Sequence, residues 1–141
     1  MSGSRAQRRA LEGARRRDQR GDGTFFFSVP SSTYWIAAQH AVPVLTVVLD
    51  NGGWNATKRN VLRQYEAGAA ARGDAYWSSL QQSADFGGIA AAAGDATSAE
   101  VTAMEELEPA LREAISVVES GRSAVVTVRL DTISHQRPER L

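Results

Sequence analysis

The sequence contains no cysteine and only two histidines among its 141 residues. Disulfide bonds and thiolate zinc sites are therefore excluded, and two histidines are too few to build a zinc site. The sequence also has no run of about 18 apolar residues, the length that a membrane-spanning helix requires. With 43% hydrophobic residues, the composition predicts one small globular domain that does not span a membrane.

Charge is unevenly distributed, although the net charge is zero. Residues 1–20 contain seven arginines and two acidic residues, so this leader carries +5 and the remainder carries −5. Between residues 2 and 20 the only large apolar side chain is Leu11, and we expect the leader to be disordered. The alternatives are a nucleic-acid-binding arm, which would have no aromatic residue for base stacking, and an organelle transit peptide. We favour cytoplasmic over mitochondrial localisation.

Residues 21–131 carry the sequence patterns of an α/β domain, followed by a polar tail at 132–141. A helix is predicted over 31–41, where serines can cap the start and a proline follows the end. Continuous apolar runs at 44–49 and 124–130 predict two strands buried on both faces, as in a parallel sheet covered by helices. Residues 54–84 predict a short helix and a loop.

Two further helices are predicted in the second half of the chain. Small residues over 85–94 predict a helix that lets a neighbouring element approach closely. Thr102 and Glu105 predict a capping box at the start of the next helix. Pro109 predicts either a kink or a second helix start there, and Gly121 predicts the helix end. The order of elements predicts a layered α/β fold.

Two polar, glycine-containing clusters flank the first predicted helix and strand. Residues 21–24 read Gly-Asp-Gly-Thr, and residues 50–53 read Asp-Asn-Gly-Gly directly after the strand at 44–49. Each cluster alone is most often a turn. If a strand also ended at Gly21, both clusters would lie at the carboxyl ends of parallel strands, where α/β sheets bind ligands.

The two clusters, with the segment STYWIAAQHAVPVLTVVL between them, resemble the diphosphate-binding domain of thiamine-diphosphate enzymes. That family is marked by Gly-Asp-Gly followed, after a helix and a strand, by Asn-Asn or a similar pair. The segments 85–94, 105–115 and 122–130 resemble the closing helix, helix and strand of acetolactate synthase-like and benzoylformate decarboxylase-like members. The resemblance implies that the cofactors are thiamine diphosphate and Mg²⁺.

The resemblance also implies the residues of the site. The Mg²⁺ ligands would be the side chains of Asp22 and Asn51 and the main-chain carbonyl of Gly53. The diphosphate would be bordered by Gly21, Gly23, Thr24 and Gly52, with Trp54 packed beside it. Trp54 has a second interpretation of equal weight, as an anchor that holds the loop against the sheet. Carboxylate and amide oxygens suit Mg²⁺, and glycines let the backbone approach phosphate closely.

The sequence departs from the family pattern at two places. Family members have a hydrophobic strand before Gly-Asp-Gly, whereas residues 13–20 read GARRRDQR, which is too charged for a buried strand. Position 50 is aspartate where the family has asparagine. An unpaired carboxylate beside the diphosphate would be unfavourable, so we expect the Asp50 side chain to point away from the phosphates or to meet the cation.

The resemblance implies an enzyme that acts on 2-oxo acids by carboligation or decarboxylation. In that family a glutamate of a separate pyrimidine-binding domain, usually from a neighbouring subunit, activates the cofactor. No segment resembles that domain, so we expect a carboxyl-terminal fragment with a fold truncated at its N-terminal side, no turnover by the chain alone and no catalytic residue in it.

Three hypotheses about function follow. The first is that the chain retains a Mg²⁺-diphosphate half-site. The second is a catalytically silent interaction module that pairs with a full-length homologous subunit, which would supply the pyrimidine-binding domain. The third, which we rank last, is an arginine-led nucleic-acid binder whose affinity falls steeply with salt.

Overall fold

The structure, a computed structural model, describes residues 17–72 and 84–130. In chain order the elements are β1 (Arg17–Gly21), α1 (Asp22–Phe27), α2 (Pro30–Gln39), β2 (Leu45–Asp50), α3 (Asn55–Gln64), α4 (Ala69–Arg72), α5 (Phe86–Gly94), β3 (Thr97–Val101), α6 (Met104–Glu119) and β4 (Ala124–Arg129). The strands form a sheet of order β1-β2-β4-β3, and all neighbouring strands are parallel. The predicted α/β fold with a helix-covered parallel sheet is confirmed.

The apolar runs that predicted strands form the centre of the sheet, β2 and β4. Alternate residues of these strands face opposite sides, as the strand period requires. One face buries Val48 and Val125 against Phe25, Tyr34 and Phe86 from α1, α2 and α5. The other face buries Leu45, Ala124 and Val126 against α6. The two hydrophobic layers therefore hold both central strands away from water.

Glycines allow α5 to pack closely on its neighbours, as the small-residue pattern predicts. A Cβ added at Gly94 would lie 2.3 Å from the main-chain oxygen of Tyr34, on α2. A Cβ added at Gly87 would lie 2.2 Å from the Cβ of Ser98, on β3. Both distances are shorter than van der Waals contact, so a side chain at either position would push α5 away from the layer that it covers.

A strand precedes Gly21, although residues 13–20 are too charged for the buried strand of the family pattern. Arg17–Gly21 forms β1 and pairs in parallel with β2, from Arg17 opposite Leu45 to Gly21 opposite Leu49. Hydrophobicity identifies strands that are buried on both faces, whereas β1 lies at an edge of the described sheet, where charged residues are common. The predicted disordered leader at 1–20 therefore overlaps β1 at residues 17–20. Its residues 1–16 lie outside the described residues, as do 73–83 of the predicted loop and the predicted tail.

The sequence patterns also missed β3 and misplaced a helix cap. Thr97–Val101 has no apolar run because it is a short edge strand of the described sheet with alternating burial. At the start of α6 the residue that accepts hydrogen bonds is Glu106 rather than Glu105. The helix begins at Met104, which makes Glu106 its third residue. Helix α6 also continues through Pro109, so no second helix begins there.

Other features of α6 agree with the sequence. The helix ends before Gly121, whose φ of 103° lies in the left-handed region. There the amide of Arg122 donates to the carbonyl of Val117 over 3.2 Å, which caps the last turn. No helix in the described residues is long and apolar enough to cross a lipid bilayer.

The cap of α6 predicts a pH-dependent stability. Glu106 Oε2 accepts hydrogen bonds from the amides of Thr102 (2.9 Å) and Ala103 (3.1 Å). These bonds, with one from the Thr102 hydroxyl, hold the pKa of Glu106 below its ordinary value of 4.5. Because the folded pKa is the lower one, the stabilisation is complete above the unfolded value and is lost as the pH falls through the folded value.

We therefore expect Glu106→Gln to lower the thermal midpoint near neutral pH. The deficit should shrink in acid, below about pH 4. Glu105→Gln is the matched control, since it removes the same charge in the same helical turn and should have the smaller effect. Thermal unfolding of the three proteins at several pH values checks this. A Glu106→Gln deficit that stays constant down to acid pH would contradict it.

Candidate functional site

The two polar clusters meet at the carboxyl edge of the sheet. Asp22 is the first residue after β1, and Asn51 is the first residue after β2. Because these strands are parallel neighbours, with Gly21 opposite Leu49, the segments that follow them leave the same edge side by side. The strand that the sequence did not predict, β1, is thus what carries Asp22 to this edge.

The side chains of Asp22 and Asn51 converge on one amide. The backbone N–H of Gly53 donates to Asp22 Oδ2 over 2.8 Å and to Asn51 Oδ1 over 3.3 Å. Asp22 Oδ1 accepts from its neighbour Gly23 over 2.7 Å. The carboxylate and the carboxamide, 29 positions apart in the sequence, therefore lie within reach of one common ligand.

Burial dominates the electrostatics of Asp22. The residue is only 3% exposed, and burial raises the pKa of its carboxyl above the ordinary value. The amides of Gly23 and Gly53 oppose this shift because they stabilise the ionised form, whereas the neighbouring carboxyl of Asp50 adds to it. Two carboxyl groups thus share a region from which water is almost excluded.

Asp50 is held by an arginine from the adjacent strand. Its side chain, 5% exposed, forms an ion pair with Arg129, its register partner at the end of β4. Its other oxygen accepts from the amide of Gly52 over 3.0 Å. Arg129 also pairs with Glu100 of β3. The Asp50 carboxylate therefore points toward β4 and meets a cationic side chain of the protein itself.

Sequence reasoning missed Arg129 and Glu100. Arg129 lies within the segment predicted as a buried strand, and Glu100 lies in the strand that was not predicted. A signal was present, because an arginine near the end of an otherwise apolar strand needs a charged partner. The partner could not be named without the strand order, which places β4 between β2 and β3.

The structure explains the glycines of the two clusters in different ways. Gly52 has a φ of 74°, in the left-handed region that favours glycine. Gly23 lies under Trp54, since an added Cβ would be 2.1 Å from the indole nitrogen. An added Cβ at Gly21 would meet no described atom within 4 Å. Thr24 is exposed. The Trp54 side chain is 41% exposed, and its ring lies 6.2 Å from that of Phe27. These contacts with α1 agree with either interpretation of Trp54.

The donor set fits a hard divalent cation. The oxygens of Asp22 accept the amides of Gly23 and Gly53, and the Asp22 side chain is also hydrogen-bonded to that of Asp50. Because a carboxylate has about four lone-pair sites and an amide oxygen has two, these contacts still leave lone pairs on Asp22 and Asn51 for a cation. Among residues 17–72 and 84–130, no three or more His, Cys, Asp and Glu side chains group together as a metal site. The predicted ligand set is not a group of that kind, because it combines one carboxylate with a side-chain amide oxygen and a main-chain carbonyl.

The contact of Gly23 with Trp54 yields a testable prediction. Gly23→Ala should lower the free energy of unfolding by about 1–3 kcal/mol, because the indole must move away from the new methyl group. Gly21→Ala, two residues earlier, is the matched control and should change stability by less than about 0.5 kcal/mol. Urea unfolding followed by tryptophan fluorescence checks both. In a Trp54→Ala background, the cost of Gly23→Ala should disappear, and persistence of the full cost would contradict the explanation.

The chain is similar to a known protein family over most of its length. The model of that family, described as thiamine pyrophosphate enzyme, C-terminal TPP binding domain, matches residues 16–128. No curated protein sequence matches the chain significantly.

A solved structure has a similar fold. It is a Rhodococcus jostii RHA1 thiamine diphosphate-dependent 4-hydroxybenzoylformate decarboxylase, with a TM-score of 0.65 and 20% sequence identity. The match covers 83% of this chain and 20% of the decarboxylase chain, so the chain spans about a fifth of the length of that enzyme. Since the family model spans both polar clusters and all four strands up to Val128, the chain belongs to the thiamine pyrophosphate enzyme family and carries its C-terminal TPP-binding domain.

Proposed function

We propose that the chain binds the diphosphate of thiamine diphosphate through Mg²⁺ at the carboxyl ends of β1 and β2. The observation that carries this proposal is the convergence of Asp22 and Asn51 on the Gly53 amide. A buried carboxylate beside a carboxamide oxygen offers the hard ligands that Mg²⁺ prefers. The family to which the chain belongs binds the cofactor that would bring such an ion.

Local charge supports the same proposal. Asp22 and Asp50 are both buried, and Arg129 supplies the described ion pair of Asp50. Arg129 is itself shared with Glu100, so the group carries more negative than positive charge. A divalent cation beside Asp22 would offset the repulsion between the carboxylates, which is strong where water is excluded.

In this proposal the side chains of Asp22 and Asn51 and the carbonyl of Gly53 hold the metal. Gly21, Gly23, Thr24 and Gly52 border the diphosphate. The open space beside Gly21 favours this placement, because nothing among the described residues requires a glycine there. Trp54 covers Gly23 and packs beside the diphosphate. The chain's own contribution is thus to bind and orient the diphosphate end of the cofactor.

We further propose that the chain is part of an enzyme that acts on 2-oxo acids. When bound, thiamine diphosphate supplies the thiazolium carbon that adds to a substrate carbonyl. The similar decarboxylase is named for 4-hydroxybenzoylformate, a 2-oxo acid, and carboligation of the acetolactate synthase type uses the same substrate class. The glutamate that activates the cofactor would come from the pyrimidine-binding domain of a homologous subunit.

Isothermal titration with thiamine diphosphate and Mg²⁺ tests the site. Asp22→Asn should weaken binding by at least about tenfold, because it removes the one carboxylate among the proposed ligands. Asp95→Asn is the control, since Asp95 carries the same charge, is exposed and pairs with Arg122 at the opposite end of the strands. Chelation of Mg²⁺ should abolish binding. Equal heats for the original chain and Asp22→Asn would refute the assignment of the metal ligand.

A second candidate function is a catalytically silent module that pairs with a full-length homologous subunit. The observation that favours it is the exposure of large apolar side chains on and around α1 and α2. Phe27 is 79% exposed and Trp35 is 59% exposed, whereas side chains of this kind are usually buried at an interface or in a core. Pairing of this kind needs no bound metal.

Co-purification with a full-length homologue separates the two functions. The interaction-module hypothesis predicts a complex that survives chelation of Mg²⁺ and is weakened by Phe27→Ser. The control, Ser31→Ala, changes an exposed residue of α2 without removing a large apolar side chain. A complex that forms only with Mg²⁺ and thiamine diphosphate would favour the cofactor-binding function instead.

A further inference from the structure

Charged side chains form a row along the carboxyl edge of the sheet. In the spatial order β1, β2, β4, β3, each position contributes one member: Asp22 directly after β1, Asp50 at the end of β2, Arg129 at the end of β4, and Glu100 in β3. Arg129 joins the row through ion pairs with Asp50 and Glu100. The row therefore runs from the proposed metal ligand Asp22 to Glu100 of β3, at the other edge of the described sheet.

The two acidic residues of the row that lie nearest the proposed site are more buried than the other two members of the row. Asp22 and Asp50 are 3% and 5% exposed, whereas the side chain of Arg129 is 31% exposed and that of Glu100 is 54% exposed. Two buried carboxylates in contact repel each other unless a cation or a proton intervenes. The side chains of Asp22 and Asp50 are hydrogen-bonded to each other, and Arg129 supplies a cation to Asp50.

The contacts of Asp50 also govern the loop that carries the other proposed ligands. Its main chain is fixed by the sheet, because its carbonyl accepts from the amide of Leu130 over 2.8 Å. Its side chain accepts from the amide of Gly52, next to the Gly53 amide that Asp22 and Asn51 share. If the Asp50 side chain lost Arg129 and moved, its contacts with the Gly52 amide and with the Asp22 side chain would both be disturbed.

We propose that Arg129 is a positioning residue of the cofactor site. By pairing with the Asp50 carboxylate, it offsets the charge of Asp50 beside Asp22 and holds the Asp50 side chain in place, so that Asp22 stays positioned to accept the Gly53 amide and to bind the metal. The effect of Arg129 on cofactor binding rests on the proposed function. Its effect on the Gly53 amide does not, because that effect is a property of the protein without ligand. It also explains how an aspartate is accommodated where related enzymes have an asparagine.

Two measurements on Arg129→Met test the proposal. In the absence of ligand, exchange of the Gly53 amide with solvent should accelerate by about tenfold, because its acceptors are no longer held in place. The affinity for thiamine diphosphate with Mg²⁺ should fall by about tenfold or more. Arg122→Met is the matched control, since Arg122 pairs with Asp95 before β4, at the opposite end of the strand. It should change neither quantity by more than about twofold.

A second substitution separates positioning from a general loss of structure. Asp50→Asn keeps an acceptor for the Gly52 amide and introduces a side-chain N–H that could donate to Asp22. It should therefore restore both quantities in the Arg129→Met background. Glu100→Gln should leave both within about twofold of the original, because Glu100 is mostly exposed. Should Arg129→Met not fold, Arg129→Gln serves the same comparison, because it removes the charge and keeps hydrogen-bond donors.

The outcomes distinguish this inference from the proposed function. The inference is overturned if Arg129→Met and Arg122→Met have the same rate of Gly53 amide exchange and the same affinity for the cofactor. A double variant as impaired as Arg129→Met would also overturn it, because Arg129 would then act by a route other than Asp50. If the original chain does not bind the cofactor, the proposed function fails, while amide exchange still decides whether Arg129 positions the loop.

Discussion

The ion pair between Asp50 and Arg129 is the contact that allows two buried carboxylates to lie at one edge of the sheet. Asp22 and Asp50 come from adjacent strands and are almost completely removed from water. Removal of a single carboxylate from water is already costly, and a second one nearby adds repulsion. An arginine that reaches in from the partly exposed side offsets part of that cost by pairing with Asp50.

The parallel sheet places the members of this ion-pair network together. Parallel pairing brings the carboxyl ends of β1, β2, β4 and β3 to the same edge, so residues distant in sequence become neighbours there. The apolar layers on both faces of β2 and β4 fix the strand order and register. The core thus contributes to the site indirectly, because it determines which strand ends are adjacent while the polar residues provide the chemistry.

Backbone amides complete the site by linking the two loops. The Gly53 N–H donates to Asp22, the first residue of α1, and to Asn51 of its own loop, and Gly52 between them adopts a left-handed conformation. Trp54 then closes over Gly23. The glycines in the two clusters therefore have distinct roles in the protein itself: one provides an unusual backbone angle and one provides space for an indole.

The sequence determined the central strands, the three longer helices that cover them and the two polar clusters, because apolar periodicity and turn residues act locally. It pointed to a thiamine-diphosphate family and named the residues that converge. The tertiary structure alone decided that the charged segment before Gly21 pairs as β1, that Thr97–Val101 is a strand, and that Asp50 meets Arg129. Edge strands and ion pairs depend on which segments become neighbours, and that information is carried by long-range packing rather than by the pattern within any one segment.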